Sequence, residues 1–200
     1  MNNKKYTKLL EKINKDLLSI YTNGPKSLIK TYKYTFLGKG KRIRPLLTIL
    51  TSKSINEDYK KSYNAALAIE ILHNFTLVHD DIMDNDSIRH GKKTMHEKWD
   101  ISTAILSGDA MLAICLNLLS DSNCDYKIIK SFNKGLLTVC EGQALDKEFE
   151  SKKDITENEY LNMIEKKTAH LIAMSIEIGA LAYDLNKKDV KKLFNFGISI

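Results

Sequence analysis

An all-α bundle is the fold class this sequence predicts, and three observations predict it. Nearly every long segment spaces its apolar residues at the helical period. None sustains a two-residue alternation, and two prolines and nine glycines in 200 residues leave few helix breakers. Leu9, Leu10, Ile13, Leu17, Leu18 and Tyr21 form the first amphipathic stripe, closed by the polar break Thr22-Asn23-Gly24-Pro25. Ser27 to Phe36 reads as a second helix. Gly38-Lys39-Gly40 interrupts it, and Pro45 suits the first turn of a third helix reaching about Ser54. The fourth, from about Tyr59 to Asp84, is built on the run Ala65 to Leu72 and continued by Phe75, Val78 and Ile82. Asn85 to Trp99 is polar and predicts irregular chain. Ile101 to Leu119 is a mostly apolar helix, expected to be interrupted at Ser107-Gly108-Asp109. Tyr126 to Glu150 repeats Ile128, Ile129, Phe132, Leu136, Val139 and Cys140. Thr156-x-x-Glu159 is a capping-box pattern that opens the next helix, to about Tyr183. A last helix starts near Lys188. No repeat or linker divides the chain, so residues 1–200 predict one helical domain.

The net charge of +6 and pI near 9.0 permit an anionic partner without naming one, and the lysines are too dispersed for a nucleic-acid stripe. Cys115, Cys124 and Cys140 lack metal-ligand spacing and read as reduced packing residues. No apolar stretch is expected to reach the roughly 20 residues that span a bilayer. The N-terminus Met1-Asn2-Asn3-Lys4-Lys5 is not followed by a signal core, and a cytoplasmic protein is the expectation.

The chemistry concentrates where the fourth helix ends. Asp80 and Asp84 are four apart and share a face, with Asp81 beside them. The macrodipole at a helix C-terminus is already negative, so clustered carboxylates there call for a cation. Hard oxygen donors suit Mg²⁺, which takes one or two carboxylates, waters and substrate phosphates. A solvated acidic helix end is the plain alternative, and Leu77-Val78-His79 before the cluster speaks against it. A histidine-aspartate phosphohydrolase site around His73 and His79-Asp80 would want more histidines than five.

Cations bracket the acids. Gly38-Lys39-Gly40-Lys41-Arg42-Ile43-Arg44-Pro45 puts basic side chains where a loop enters a helix N-terminus, a combination suited to phosphate. Arg89-His90-Gly91-Lys92-Lys93 follows the aspartates. Two basic clusters around one acidic cluster imply two anionic ligands, or one ligand with two anionic ends. Further on, Gln143 and Asp146 share a helix face, as do Lys166 or Lys167 with His170. The small or apolar flanks Cys140, Ala144, Leu145, Thr168, Ala169 and Leu171 suggest that these polar groups point into a bundle.

Five motifs in order resemble the trans-isoprenyl diphosphate synthases, the polyprenyl synthetases that make geranylgeranyl, farnesyl and longer diphosphates. They are Gly40-Lys41-Arg42-Ile43-Arg44-Pro45, the stretch from His73 through Arg89, Ser107-Gly108-Asp109, Gly142-Gln143-x-x-Asp146 and Lys167-Thr168. The resemblance implies an isoprenoid synthase-type helical bundle and a Mg²⁺-dependent prenyltransferase condensing isopentenyl diphosphate with an allylic diphosphate. It implies that Lys41, Arg44 and His73 hold the isopentenyl diphosphate. Asp80 and Asp84, supported by Asp81, would hold Mg²⁺ on the allylic diphosphate. Arg89, Gln143, Asp146, Lys167 and Thr168 would line the allylic site. Phe75 and Thr76 would set the pocket floor, favouring C15–C20 products.

This chain departs from that pattern in two places. His90 stands where the family usually has a second arginine, which implies weaker or acid-favoured isopentenyl diphosphate binding. The family's second aspartate-rich motif would follow Ile200, so the bundle is expected to be a C-terminally truncated one. A homo-oligomer, in particular a dimer, is the implied assembly. Two other readings share the motifs: a non-catalytic diphosphate-binding or regulatory subunit of a full-length synthase, and a class I terpene cyclase. The cyclase needs no second diphosphate site, so Lys41, Arg44 and His73 argue against it.

Overall fold

The computed structural model describes residues 3–38, 40–121 and 124–200. Met1, Asn2 and the Lys39 of the first basic cluster lie outside the described residues. Ten α-helices are described: α1 (Asn3–Ser19), α2 (Lys26–Phe36), α3 (Ile43–Asn56), α4 (Lys60–Met83), α5 (Met95–Lys98), α6 (Ile101–Asp121), α7 (Tyr126–Phe149), α8 (Glu157–Ile164), α9 (His170–Leu181) and α10 (Lys187–Ile198). The all-α class is what the periodicity predicts. Local chemistry explains several boundaries. The Asp125 side chain accepts from Lys127 N to open α7, and Asn186 accepts from Asp189 N to open α10. At α8 both bonds of the Thr156/Glu159 capping box are made.

Several expectations are corrected. The segment after Asp84 is not simply irregular, because Ile88–Arg89 (β1) and Lys92–Lys93 (β2) pair antiparallel around His90-Gly91 before the short α5. Nor does Ser107-Gly108-Asp109 interrupt α6, which is continuous. A Cβ on Gly108 would fall inside the His79 imidazole, so this glycine permits a close approach between helices. The expectation that no stretch could span a bilayer also fails on length and composition, since Ile101–Ser120 is long and apolar enough. Its inner face is nevertheless tied into the protein. Ser107 donates to Thr31 Oγ1 at 2.8 Å, and the Cys115 thiol to Ala68 O at 3.3 Å. Cys115 is a packing residue as expected, whereas Cys140 is exposed.

The chain forms two compact units, residues 1–42 with 67–120 and residues 43–66 with 121–200. In the first, Ile13, Leu17, Tyr32, Phe36, Leu72, Met111 and Leu119 are buried, and Tyr32 donates to Leu17 O at 2.9 Å. In the second, α9 is the central helix, with nine buried residues between His170 and Ala180. It is fastened to α3 where Thr48 donates to Ser175 O (2.8 Å) and Ser52 to Gly179 O (2.9 Å).

Candidate functional site

In the first unit, the part of α4 from Leu67 onward is largely buried and ends at the acidic cluster. Asp80 and Asp81 fill its last turn and Asp84 follows. Asn85, at φ +54°, takes the left-handed conformation in which helices commonly stop. The carboxylates differ in environment: Asp81 is buried, Asp80 half-buried and Asp84 exposed. Arg89 straps the helix end, donating from Nε to Asp81 Oδ1 and from Nη2 to Asp86 Oδ2 at 3.2 Å. Burial pushes the Asp81 carboxyl above its usual range, against the opposing pull of Arg89. The pair therefore meets part of the demand for positive charge, and Asp81 fixes Arg89 in place.

Arg89 owes its position to the hairpin. His90 (φ +51°) and Gly91 (φ +76°) both have positive φ, the signature of a type I′ turn, which suits a two-residue hairpin loop. His90 is exposed at the tip. The donors at the end of α4 fit a hard divalent cation. Among the described residues no group of three His, Cys, Asp or Glu side chains makes a ready cage. An ion held by Asp80 and Asp84 would complete its shell with water and phosphate oxygens, the habit of Mg²⁺.

Also in this unit, Lys41 is exposed, while Arg42 of the same basic run is buried and bonded to protein. The charge pattern alone did not separate them, and the resemblance carried over Lys41 and Arg44 without Arg42. The signal was Glu70, a lone acid inside the apolar run Ala65–Leu72, which must find a cation if it is buried. Phe75 is buried and stacks against His79 with ring centroids 4.6 Å apart. The Thr76 hydroxyl bonds its own helix at His73 O, 2.8 Å away.

The second unit holds Arg44, in the first turn of α3, together with the remaining candidates. Between α8 and α9 the helix does not break but widens into a π turn, Glu165–Ala169, which carries Lys166, Lys167 and Thr168. Such turns are rare and frequent at functional sites. Helical spacing left Lys166 and Lys167 undivided, and only the resemblance singled out Lys167. In the structure Lys167 reaches Asp146 Oδ2 (2.5 Å), whereas Lys166 reaches Glu141 Oε2 (2.6 Å). Gln143 is buried, and neither its Oε1 nor its Nε2 has a hydrogen-bond partner among the described residues. A buried carboxamide left unsatisfied is costly, so a ligand or water is the natural partner. The flanks expected to point inward do not all do so: Cys140, Ala144 and Thr168 are exposed, and the buried face is Val139, Gly142 and Gln143.

His170 is buried with its ring edge-on to Phe194. Burial first, then Lys134 and Lys166, hold its pKa below the usual 6.5, against the opposing Glu141. The unfolded chain takes up a proton below about pH 6.5 that the folded chain resists. Stability is therefore unaffected above that pH and falls as the solution is acidified through it. Melting temperatures at pH 7.5 and 5.5 should show a smaller acid drop for His170→Gln than for wild type, and equal drops would defeat this assignment.

The five motifs thus sit on defined elements, and the comparison with known proteins agrees. The family model for polyprenyl synthetases matches residues 25–200. The chain belongs to the polyprenyl synthetase family. It is 40% identical over 178 residues to the geranylgeranyl pyrophosphate synthase of Geoglobus acetivorans, covering 87% of this chain and 56% of that one. With the geranylgeranyl diphosphate synthase of Saccharolobus solfataricus it shares 39% over 201 residues, 98% of this chain and 60% of the relative. A crystal structure of a geranylgeranyl pyrophosphate synthase superposes with a TM-score of 0.90 at 40% identity, over 99% of this chain and 61% of that one. The isoprenoid synthase-type helical architecture expected of a polyprenyl synthetase is therefore present, and this chain spans somewhat more than half the length of these relatives.

Proposed function

We propose that this polyprenyl synthetase chain is a Mg²⁺-dependent prenyltransferase that condenses isopentenyl diphosphate with an allylic diphosphate, with C15–C20 products, in the cytoplasm. The observation that carries the reading is the end of α4. There three carboxylates gather at a negative dipole end, Asp81 buried against Arg89, Asp80 half-buried and Asp84 exposed. Bound there, Mg²⁺ would supply neutralisation of the charge that builds on a departing pyrophosphate. Arg89, Lys167, Thr168 and the unsatisfied Gln143 orient the allylic diphosphate. Lys41, Arg44 and His73, with His90, hold the second diphosphate. The allylic C–O bond breaks with its electron pair leaving on pyrophosphate. The isopentenyl double bond attacks the resulting cation, and the surplus proton passes to a pyrophosphate oxygen. Calorimetry with farnesyl diphosphate should show uptake that requires Mg²⁺, and its absence would end the proposal.

A second reading rests on the same cluster, because carboxylates and cations that hold a diphosphate need not turn it over. On that reading the chain is a diphosphate-binding or regulatory subunit. Incubation with isopentenyl diphosphate, farnesyl diphosphate and Mg²⁺ separates the two, since only the enzyme yields a longer prenyl diphosphate.

Chain length gives a further expected outcome. Phe75 lies five residues before Asp80, toward the floor assigned to the growing tail. Phe75→Ala should lengthen the product on chromatography of the dephosphorylated prenols, and an unchanged length would remove that assignment. Ile101, Ile105 and Leu116 leave an exposed apolar stripe on α6, for which a second copy of the chain is the occupant that a homo-oligomer supplies. Light scattering should give a dimer mass that Ile105→Glu reduces to monomer.

A further inference from the structure

Arg42 sits among basic residues that suggest a phosphate site, yet its guanidinium is wholly committed to protein. Its Nη1 donates to Glu70 Oε1 on α4 (2.8 Å) and its Nε to Asn14 Oδ1 on α1 (2.8 Å). Nη2 reaches the carbonyls of Phe36 and Gly38, both at 3.2 Å. The Arg42 and Glu70 side chains are only 4% and 5% exposed, and Asn74 donates to Glu70 O at 2.7 Å. The Arg42 backbone is left-handed, at φ +50°, which costs a non-glycine residue about 1–2 kcal/mol and persists where the surroundings over-determine it.

We propose that Arg42 is a positioning residue for the anion-binding loop, acting through Lys41. The left-handed backbone turns the chain between exposed Lys41 and the start of α3. The guanidinium fastens that turn to the α2 terminus, to α1, and to α4 at Glu70, three residues before His73. The loop cation and the helix histidine are thereby referred to one buried ion pair. Lysine at residue 42 could not do this, because one ammonium cannot span four acceptors arranged about a planar fork.

The inference rests on Lys41 being a ligand for isopentenyl diphosphate, and the test separates the two claims. Replacing a buried ion pair by apolar residues of similar volume is often tolerated by the fold. The variant carrying Arg42→Met and Glu70→Met should therefore keep its helical circular dichroism. Its affinity for isopentenyl diphosphate in EDTA, measured by calorimetry, should weaken about tenfold, and amide exchange over residues 37–44 should quicken. Lys41→Gln should weaken affinity with exchange unchanged. Wild-type affinity in the folded double variant overturns the proposal and leaves the proposed function standing. If that variant does not fold, Asn14→Ala, which removes only the Nε partner, decides the matter: quicker loop exchange with weaker binding supports the proposal, and wild-type values for both overturn it. Wild-type affinity in Lys41→Gln removes the ligand assignment and the proposal with it.

Discussion

Replacing Asp80 and Asp84 together by asparagine should cost at least about a hundredfold in Mg²⁺-dependent affinity for farnesyl diphosphate, near 3 kcal/mol, while lowering the melting temperature less than Asp81→Asn does. The two halves of this expectation have separate causes. Each carboxylate lies at the negative end of the α4 macrodipole, where a like charge is unfavourable by about 0.3–1 kcal/mol. Neutralising both removes that repulsion, which works in favour of the folded chain. The affinity depends instead on hard anionic oxygens able to join a divalent cation to a diphosphate, which carboxamides do not replace. Asp81→Asn should behave in the opposite way. Asp81 is buried against Arg89, and its neutralisation leaves that guanidinium, 30% exposed, with the more exposed Asp86 as its remaining carboxylate partner. That should destabilise by about 1–2 kcal/mol, less than a fully buried pair because water reaches Arg89. Calorimetry and thermal melting on the two variants give the comparison. Retained affinity in the double variant, or a melting temperature that falls as far as in Asp81→Asn, would show that the three acids serve the fold rather than a ligand.

The helices were legible because burial on one face leaves a period that a single sequence displays, and their caps because Thr156 and Glu159 sit at a fixed spacing. The hairpin was not. Its strands are two residues each, too short to alternate, and its one signal was His90-Gly91 as a turn pair. Gly108 was misread for a related reason. A glycine inside a helix pattern looks like a breaker, while its real cause, the His79 imidazole packed against it, lies 29 residues away in sequence. Helical spacing alone did not separate Lys166 from Lys167, because i, i+4 reasoning assumes 3.6 residues per turn. The π turn that carries them changes that count. Arg42 was hidden in its charge: a cation that binds phosphate and one that pins a loop look alike until burial and partners are known.

Gly142→Ala should destabilise the chain by about 1–2 kcal/mol, although the same change on an exposed helix face would stabilise it by about 1 kcal/mol through helix propensity. The sign is set by what a methyl group would meet. A Cβ at residue 142 would stand 2.6 Å from Lys167 Cα and 2.7 Å from Lys166 C, and closer still to Lys167 N. These are backbone atoms of the π turn, which cannot rotate away. The turn has to move bodily, carrying Lys167 off Asp146 and disturbing the surroundings of the buried Gln143 amide. Gly135 is the internal control. A Cβ there would also press on a neighbour, but the neighbour is the Met174 thioether, with Cγ at 3.2 Å and Cε at 3.4 Å, on a side chain with three rotatable bonds. Gly135→Ala should therefore cost less than Gly142→Ala, because the fully buried Met174 can repack by rotation whereas the backbone of the π turn cannot, and the propensity gain offsets part of that repacking. Urea unfolding of the two variants measures the difference directly. Affinity for farnesyl diphosphate with Mg²⁺ should fall several-fold in Gly142→Ala and stay at the wild-type value in Gly135→Ala. If both alanines are tolerated equally, the close approach of α7 to the π turn does not position Lys167, and its role in holding the allylic diphosphate loses its structural support.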